Sequence, residues 1–172
     1  MSRVFLLTAL GLASAFISWL YISITEEITV GPGLIFGIII GWYFKKDRPS
    51  TAIFFSIIST AIYYAAVLFT IQTAEVVNDL AIPLFIAGSL GAYLFLMSVH
   101  YILYKLSQKF IIPSSVIGGL LGLTFLISNS MRDTTNFLIL YVCWQTGIAL
   151  LLGLYEYNKK RFIGRIKNAL KR

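Results

Sequence analysis

The residue types that usually carry chemistry are scarce in this sequence and do not cluster. There is one histidine, His100, and one cysteine, Cys143. A single histidine cannot supply both axial ligands of a buried haem, and no His, Asp or Glu set has the spacing of metal ligands. The apolar segments contain no pair of carboxylates for acid–base work. We therefore expect no enzyme active site, no metal and no cofactor.

Uncharged polar residues remain as candidates, and they lie near the middle of long apolar segments. Gln145 is foremost, because its carboxamide has two donors and an acceptor that need partners in an apolar environment. Tyr141 precedes it by one helical turn, and Trp144 is its neighbour. The residues predicted to line a midplane pocket or pathway are Ser59, Tyr63, Ser89, Tyr93 and Gln145.

Two roles are open for this polar set. The side chains could serve as hydrogen bonds between helices, each contributing about 0.6–2 kcal/mol. Alternatively, they could line a shared pocket for a neutral or amphipathic ligand. Both roles require that the side chains face other helices and not lipid.

Membrane-spanning helices must position these side chains. Hydrophobic residues make up 58% of the chain and charged residues 12%, whereas soluble domains carry about 25% charged residues. A spanning helix needs about 20 mostly apolar residues, and six segments qualify: 4–24, 28–44, 51–71, 80–104, 110–127 and 137–155. The sequence therefore predicts an all-α membrane protein, with one six-helix transmembrane domain at 1–155.

The charges predict how the helices cross the membrane. Thirteen of the fourteen basic residues fall before span one or after spans two, four and six, and only Arg132 lies on the other side. The positive-inside rule then places both termini in the cytoplasm, at an inner or plasma membrane. Ala13-Ser14-Ala15 also resembles a signal-peptide cleavage site, but the apolar run continues to Ile24, so we expect a retained span.

Glycine spacing predicts where helices pack closely. The stretch GPGLIFGIIIG, at 31–41, places Gly33, Gly37 and Gly41 one turn apart on one helical face. Small residues at this spacing let helix backbones approach each other. A second predicted packing set is Gly118, Gly119 and Gly122. We expect the first stripe to pack on a helix of the same chain, with span one or five as the partner, and a pore wall is the alternative.

The segment 156–172 is rich in basic residues. Its apolar side chains recur at helical spacing, which is typical of a short basic amphipathic helix. The residues expected to contact the anionic lipid surface are Lys159, Lys160, Arg161, Arg165 and Lys167. Docking of a protein partner is the alternative. Nucleic-acid binding is not expected, because no interleaved aromatic residues or known module are present.

A small-residue pattern in the first span carries the one family resemblance. Ala9-Leu10-Gly11-Leu12-Ala13 is an Ala-xxx-Ala pattern. With six predicted spans in 172 residues, the chain resembles the substrate-binding subunits of energy-coupling-factor vitamin transporters. The resemblance implies a bundle that binds a small molecule and docks a partner through this pattern. No vitamin-binding motif carries over.

Two functions follow as hypotheses. The first is a small polytopic membrane protein that binds or moves a small solute or ion, alone, as a homo-oligomer or with a membrane-protein partner. The second is a non-transporting structural or assembly subunit of a membrane complex. A central cavity would favour the first function, and a lipid-exposed face of small residues would favour the second.

Overall fold

The structure, a computed structural model, describes residues 2–77, 79–127 and 134–169, with side chains omitted at 2, 134–135 and 162–169. Within these ranges the chain is helical and has no strand. The six helices are α1 Ser2–Thr25, α2 Gly31–Lys45, α3 Pro49–Val77, α4 Ala81–Ser98, α5 Gln108–Gly122 and α6 Thr134–Ala169. α4 continues into a π-helical turn at Val99–Leu103, and α5 into a 3₁₀ turn at Leu123–Ile127.

The predicted all-α class and the six helices are confirmed. In the described part of the chain, five helices are long and apolar enough to cross a membrane, and α2 is shorter. α2 begins at Gly31 and has 15 residues, whereas the sequence predicts a start at 28. Pro32 lies in its first turn, where the missing N–H removes no intrahelical hydrogen bond.

The helices form a closed ring. Each helix contacts the next one along the chain, and α6 returns to α1. Short connections make consecutive helices antiparallel neighbours. The most extensive interfaces are those of α1 with α6, α2 with α3, and α4 with α5. The ring thus consists of three tightly packed helix pairs that meet along looser contacts.

The glycine stripe of α2 closes the first of these pairs. A Cβ atom added at Gly37 would lie 2.7 Å from the Cα atom of Ser56 on α3. Gly33 and Gly41 approach the α3 backbone in the same way, with separations from an added Cβ atom of 2.9 and 3.0 Å. The stripe therefore packs on α3, and not on the expected α1 or α5.

The second glycine set closes the pair of α4 and α5. Cβ atoms added at Gly119 and Gly122 would each lie 2.8 Å from a backbone carbonyl oxygen of α4, at Phe85 and Leu84 respectively. Gly118, also on α5, faces Ala92 of α4. Both predicted glycine sets are therefore buried between helices of this chain.

Contacts between distant residues bring the basic segments to one end of the bundle, the basic end (residues 3, 43–48, 104–109 and 156–160). Glu156, which is 3% exposed, accepts a hydrogen bond from Arg3 and from the Tyr43 hydroxyl at 3.1 Å, and pairs with Lys160 at 3.3 Å. We call these four residues the Glu156 network. It joins α1, α2 and α6, and it places the start of α1 beside the basic part of α6.

α6 continues past the bundle without a break. Its 36 residues correspond to about 54 Å of helix. The helix is continuous there because no glycine or proline interrupts the chain between Gly153 and Gly164. The predicted basic tail is thus a continuation of α6 and not a separate helix. Lys159 donates to the Lys105 carbonyl oxygen at 3.2 Å, and Lys160 belongs to the Glu156 network.

Only some of the other basic residues predicted to contact the lipid surface have side chains that the structure describes. Arg161 is exposed. The side chains of Arg165 and Lys167 lie outside the described residues. So does the whole of Arg132, which the sequence predicts on the opposite side.

We expect the Gly37→Ala variant to lower the free energy of unfolding by about 1–3 kcal/mol, because its methyl group meets the backbone of α3. The melting temperature of the detergent-purified protein measures this. Gly91→Ala is the matched control: its Cβ atom would meet only the Cβ atom of Ala66, at 3.7 Å. Since alanine favours helix over glycine by up to about 1 kcal/mol, this variant should melt at the same or a higher temperature. Equal destabilisation by both changes would contradict the packing described.

Candidate functional site

The bundle is packed at its basic end and hollow toward the opposite end, the loop end, where α1, α3 and the 3₁₀ turn finish. The main core fills the basic half with side chains such as Phe55, Leu96, Val99, Ile111 and Leu152. A cavity of about 270 Å³ occupies the other half, lined by residues from 28 to 145. The described lining residues come from α2, α3, α4, α5 with its 3₁₀ turn, and α6, with Ile28 and Leu80 from the connections before α2 and α4. None of them comes from α1.

Three aromatic rings from three helices form the floor of the cavity. Phe36 of α2 stacks on Phe95 of α4 with ring centroids 5.0 Å apart. Trp144 of α6 meets both rings edge-on, at 6.0 and 6.3 Å. Such edge-to-face contacts are favourable arrangements of aromatic rings. The floor joins the packed core, so solid protein separates the cavity from the basic end.

Two tyrosines place hydroxyl groups on the cavity wall. The hydroxyl oxygens of Tyr63, on α3, and Tyr141, on α6, lie 2.5 Å apart. Their mutual hydrogen bond uses one of the two O–H donors, which leaves one donor and several lone pairs for another group. The pair therefore both links the two helices and offers a polar contact.

Gln145 lies at the floor beside Trp144 and is only 2% exposed. Its side-chain nitrogen donates to the Ser18 hydroxyl of α1 at 3.2 Å. Its side-chain oxygen has no hydrogen-bond partner among the described residues. A buried acceptor without a partner is costly, so this oxygen is the clearest unmet polar group of the lining.

The structure brings together three of the five predicted pocket residues: Ser59, Tyr63 and Gln145. The Ser59 hydroxyl already donates to the Gly33 carbonyl oxygen at 2.9 Å. Ser89 lies instead between α4 and α5, opposite Gly119. Tyr93 is half-buried beside the main core. Both residues lie off the face of α4 that lines the cavity.

Several lining residues were absent from the predicted set. Phe36 and Phe95 form most of the floor, and Ala66 lies on the α3 wall. Tyr141 was signalled by its one-turn spacing from Gln145. Counting residues along a span estimates depth, but it does not tell which face of an apolar helix points inward.

The loop before α2 is held by Glu27, whose carboxylate caps the helix. It accepts hydrogen bonds from the backbone N–H groups of Thr29, Val30 and Gly31, with N···O distances of 2.6, 2.9 and 3.2 Å. Burial opposes ionisation of Glu27, but these bonds and one from the Thr29 hydroxyl outweigh it and lower the pKa to about 2. A negative charge at a helix N-terminus is also favoured by the helix dipole. The cap explains the late start of α2, and it fixes Ile28, which lines the cavity.

The cavity has no formal charge. None of its described lining residues is Asp, Glu, Lys, Arg or His. The described part of the chain also has no group of three side chains that could hold a metal ion. His100 lies away from the cavity, where its Nδ1 lies 2.7 Å from the carbonyl oxygen and 3.0 Å from the backbone nitrogen of Leu106. The described lining therefore offers side-chain polar contacts only through neutral hydroxyl, amide and indole groups.

No protein-family model matches the sequence, and neither the curated proteins nor the solved structures give a match. The resemblance to vitamin-binding subunits therefore rests on the number of spans and on the pattern from Ala9 to Ala13. In the structure, Ala9 and Ala13 are exposed on α1, whereas Gly11 is buried against Ala149 of α6. The function has to be inferred from the cavity itself.

We expect acid to destabilise the protein through Glu27. Its folded pKa of about 2 lies below the ordinary value of 4.5, so its contribution to stability is complete above pH 4.5 and is lost as the pH falls toward 2. Melting temperatures measured between pH 6 and pH 2.5 should show less acid sensitivity in Glu27→Gln than in the unmodified protein. The neighbouring Glu26→Gln change is the control, since Glu26 lies outside this cap. Identical pH profiles for the unmodified protein and Glu27→Gln would contradict the assignment.

Proposed function

We propose that this chain is an integral membrane protein of six helices that binds a small neutral solute in its hollow half and carries it across the bilayer. The observation that supports this most is the cavity of about 270 Å³, closed by an aromatic floor on one side. Ion conduction is less well supported, because a pathway for ions needs a polar or charged stripe and the described lining is mostly apolar.

The outer surface supports placement in a bilayer. Large apolar side chains are exposed on helices around the ring, among them Phe5, Ile53, Ile112 and Leu120. Soluble monomers seldom expose apolar patches of this extent. By the positive-inside rule, the basic end would face the cytoplasm, and the cavity would open toward the other side.

The contrast between the two ends supports carriage of a solute. The basic end is closed by the core and by the Glu156 network, whereas α3 has no buried residue after Ser59. Carriers of this kind work by rocking helices around a fixed site, which closes one end while the other opens. In this proposal, the Glu156 network holds the basic end shut in the state described.

The use of the glycines argues against a purely structural subunit. An assembly subunit would keep a face of small residues free for a partner. Here both predicted glycine sets, Gly33/Gly37/Gly41 and Gly118/Gly119/Gly122, pack inside the chain. The assembly function keeps one observation in its favour, the exposed small residues Ala9 and Ala13 of α1.

Thiol labelling tests the one-sided access. In a Cys143→Ser background, we expect the Ala66→Cys variant, on the cavity wall, to react with a membrane-impermeant thiol reagent from the side of the loop end. Reaction from the basic side should be much slower. Ala92→Cys is the matched control: Ala92 is fully buried against Gly118 and should react from neither side.

Two results would count against the proposal. Protection of the Ala66→Cys variant from both sides would show that the cavity is not accessible. Preferential reaction from the basic side would reverse the direction of access.

Weakening the Glu156 network should open the basic end. We expect Glu156→Gln, added to the Ala66→Cys variant, to raise the labelling rate from the basic side about fivefold. This corresponds to about 1 kcal/mol, which is below the range of about 1.5–3 kcal/mol for a hydrogen bond to a charged group. The value is smaller because the side chains of Arg3 and Lys160 are 54% and 52% exposed and solvent screens their charges. Lys46→Gln removes a charge from the same end outside the network and should leave the rate unchanged. An unchanged rate in the Glu156→Gln variant would remove the network from the proposed closure.

A further inference from the structure

We propose that the cavity selects a neutral ligand with one hydroxyl group on an apolar skeleton of about ten heavy atoms. The ligand hydroxyl donates its hydrogen to the side-chain oxygen of Gln145. This inference rests on the proposed function and names the ligand class of the same site.

The volume of the cavity sets the size of the ligand. A protein cavity of about 150 Å³ holds benzene, which has six heavy atoms. By the same proportion, a cavity of about 270 Å³ holds about ten or eleven heavy atoms. This corresponds to a monocyclic or short branched hydrocarbon skeleton.

The lining sets the charge of the ligand. The floor consists of the rings of Phe36, Phe95 and Trp144, and most of the walls are aliphatic. A charged ligand would lose its hydration there without meeting a counter-charge among the described lining residues. The apolar walls therefore favour a neutral molecule with a small polar part.

Gln145 determines what that polar part must do. Its nitrogen is engaged by Ser18 of α1, a helix that contributes no described residue to the lining. Its oxygen is buried and unpartnered among the described residues, and in this proposal the side chain turns so that the oxygen reaches the cavity, which Gln145 lines. A ligand that donates a hydrogen bond to this oxygen would relieve the cost of the unmet acceptor.

The tyrosine pair determines the second polar contact. Tyr141 and Gln145 lie four residues apart on α6, and the Cβ atoms of such residues are about 5–6 Å apart. The O–H that Tyr63 and Tyr141 do not use for each other is available to a ligand oxygen. A hydroxyl group both donates and accepts, so it fits the two contacts. A ketone accepts only, and a hydrocarbon does neither.

The test uses three probes with one skeleton: menthol, menthone and p-menthane. The protein is placed in lipid nanodiscs, and binding is followed by calorimetry at known free concentrations. Trp144 fluorescence in a Trp19→Phe/Trp42→Phe background is the second readout, because this tryptophan lies in the floor. We expect menthol to bind about tenfold more tightly than menthone, as one added hydrogen bond would give, and more tightly still than p-menthane, which makes neither contact.

The variants assign the preference to Gln145. Gln145→Leu should bring the affinity for menthol to within about twofold of that for menthone, since the acceptor is gone and the tyrosine contact remains. Gln72→Leu makes the same chemical change at an exposed position of α3 and should keep the tenfold preference. If Gln145→Leu does not fold, Tyr141→Phe is used in its place, and it should weaken menthol more than p-menthane.

The outcomes separate this inference from the proposed function. If none of the probes binds, the proposed solute-binding function fails together with the inference. If the three probes bind equally well, the cavity is a binding site and only the ligand class is overturned. If menthone binds as tightly as menthol, the Gln145 side chain presents its N–H group to the ligand, and the assignment of the acceptor is wrong.

Discussion

The register of the short helix α2 on the long helix α3 is the constraint on which the rest of the structure depends. Backbone contact through Gly37 fixes α2 against the first half of α3, and the Glu27 cap starts α2 at Gly31. α3 then continues to Val77 beyond the reach of its partner, and it buries no residue after Ser59. The cavity follows from this mismatch in length, because helices of unequal length cannot fill the same layer of the bundle.

The same mismatch distributes the polar groups. In the packed half, charged residues are confined to the basic end, where Glu156 gathers its partners. Around the cavity, the described lining side chains are uncharged, and three of the polar ones are bonded to another helix: Ser59 to α2, Tyr63 to Tyr141, and Gln145 to Ser18. Bonds between helices and contacts for a ligand are thus compatible uses of one side chain. A carboxamide has enough donors and acceptors for both.

The helices of this chain could be predicted because apolar length is a strong signal, but several ends shifted, and α3 runs to Val77 where the predicted span ends at 71. α2 started later than predicted because of the Glu27 cap, and α6 ran on because nothing in 154–163 stops a helix. The partner of the glycine stripe was predicted wrongly. Small residues specify a close approach, but they do not specify which helix approaches, and α3 meets the stripe with Ser56 and Ala52, which are small as well.

The sequence predicted how deep in the bilayer the site residues lie, but not which face of each helix points toward the cavity. Gln145 and Tyr63 are polar enough that lipid exposure would be costly, so their inward orientation follows from the residue type. Ser89 carries less information, since a serine is small enough to lie in a helix interface without a partner, and it does so opposite Gly119. Apolar lining residues such as Phe36 give no information about orientation, because an apolar side chain is equally stable facing lipid, the core or the cavity. What distinguishes the cavity is therefore that no described residue of α3 after Ser59 is fully buried. That property arises from the relative lengths of two helices and is not written in any single residue.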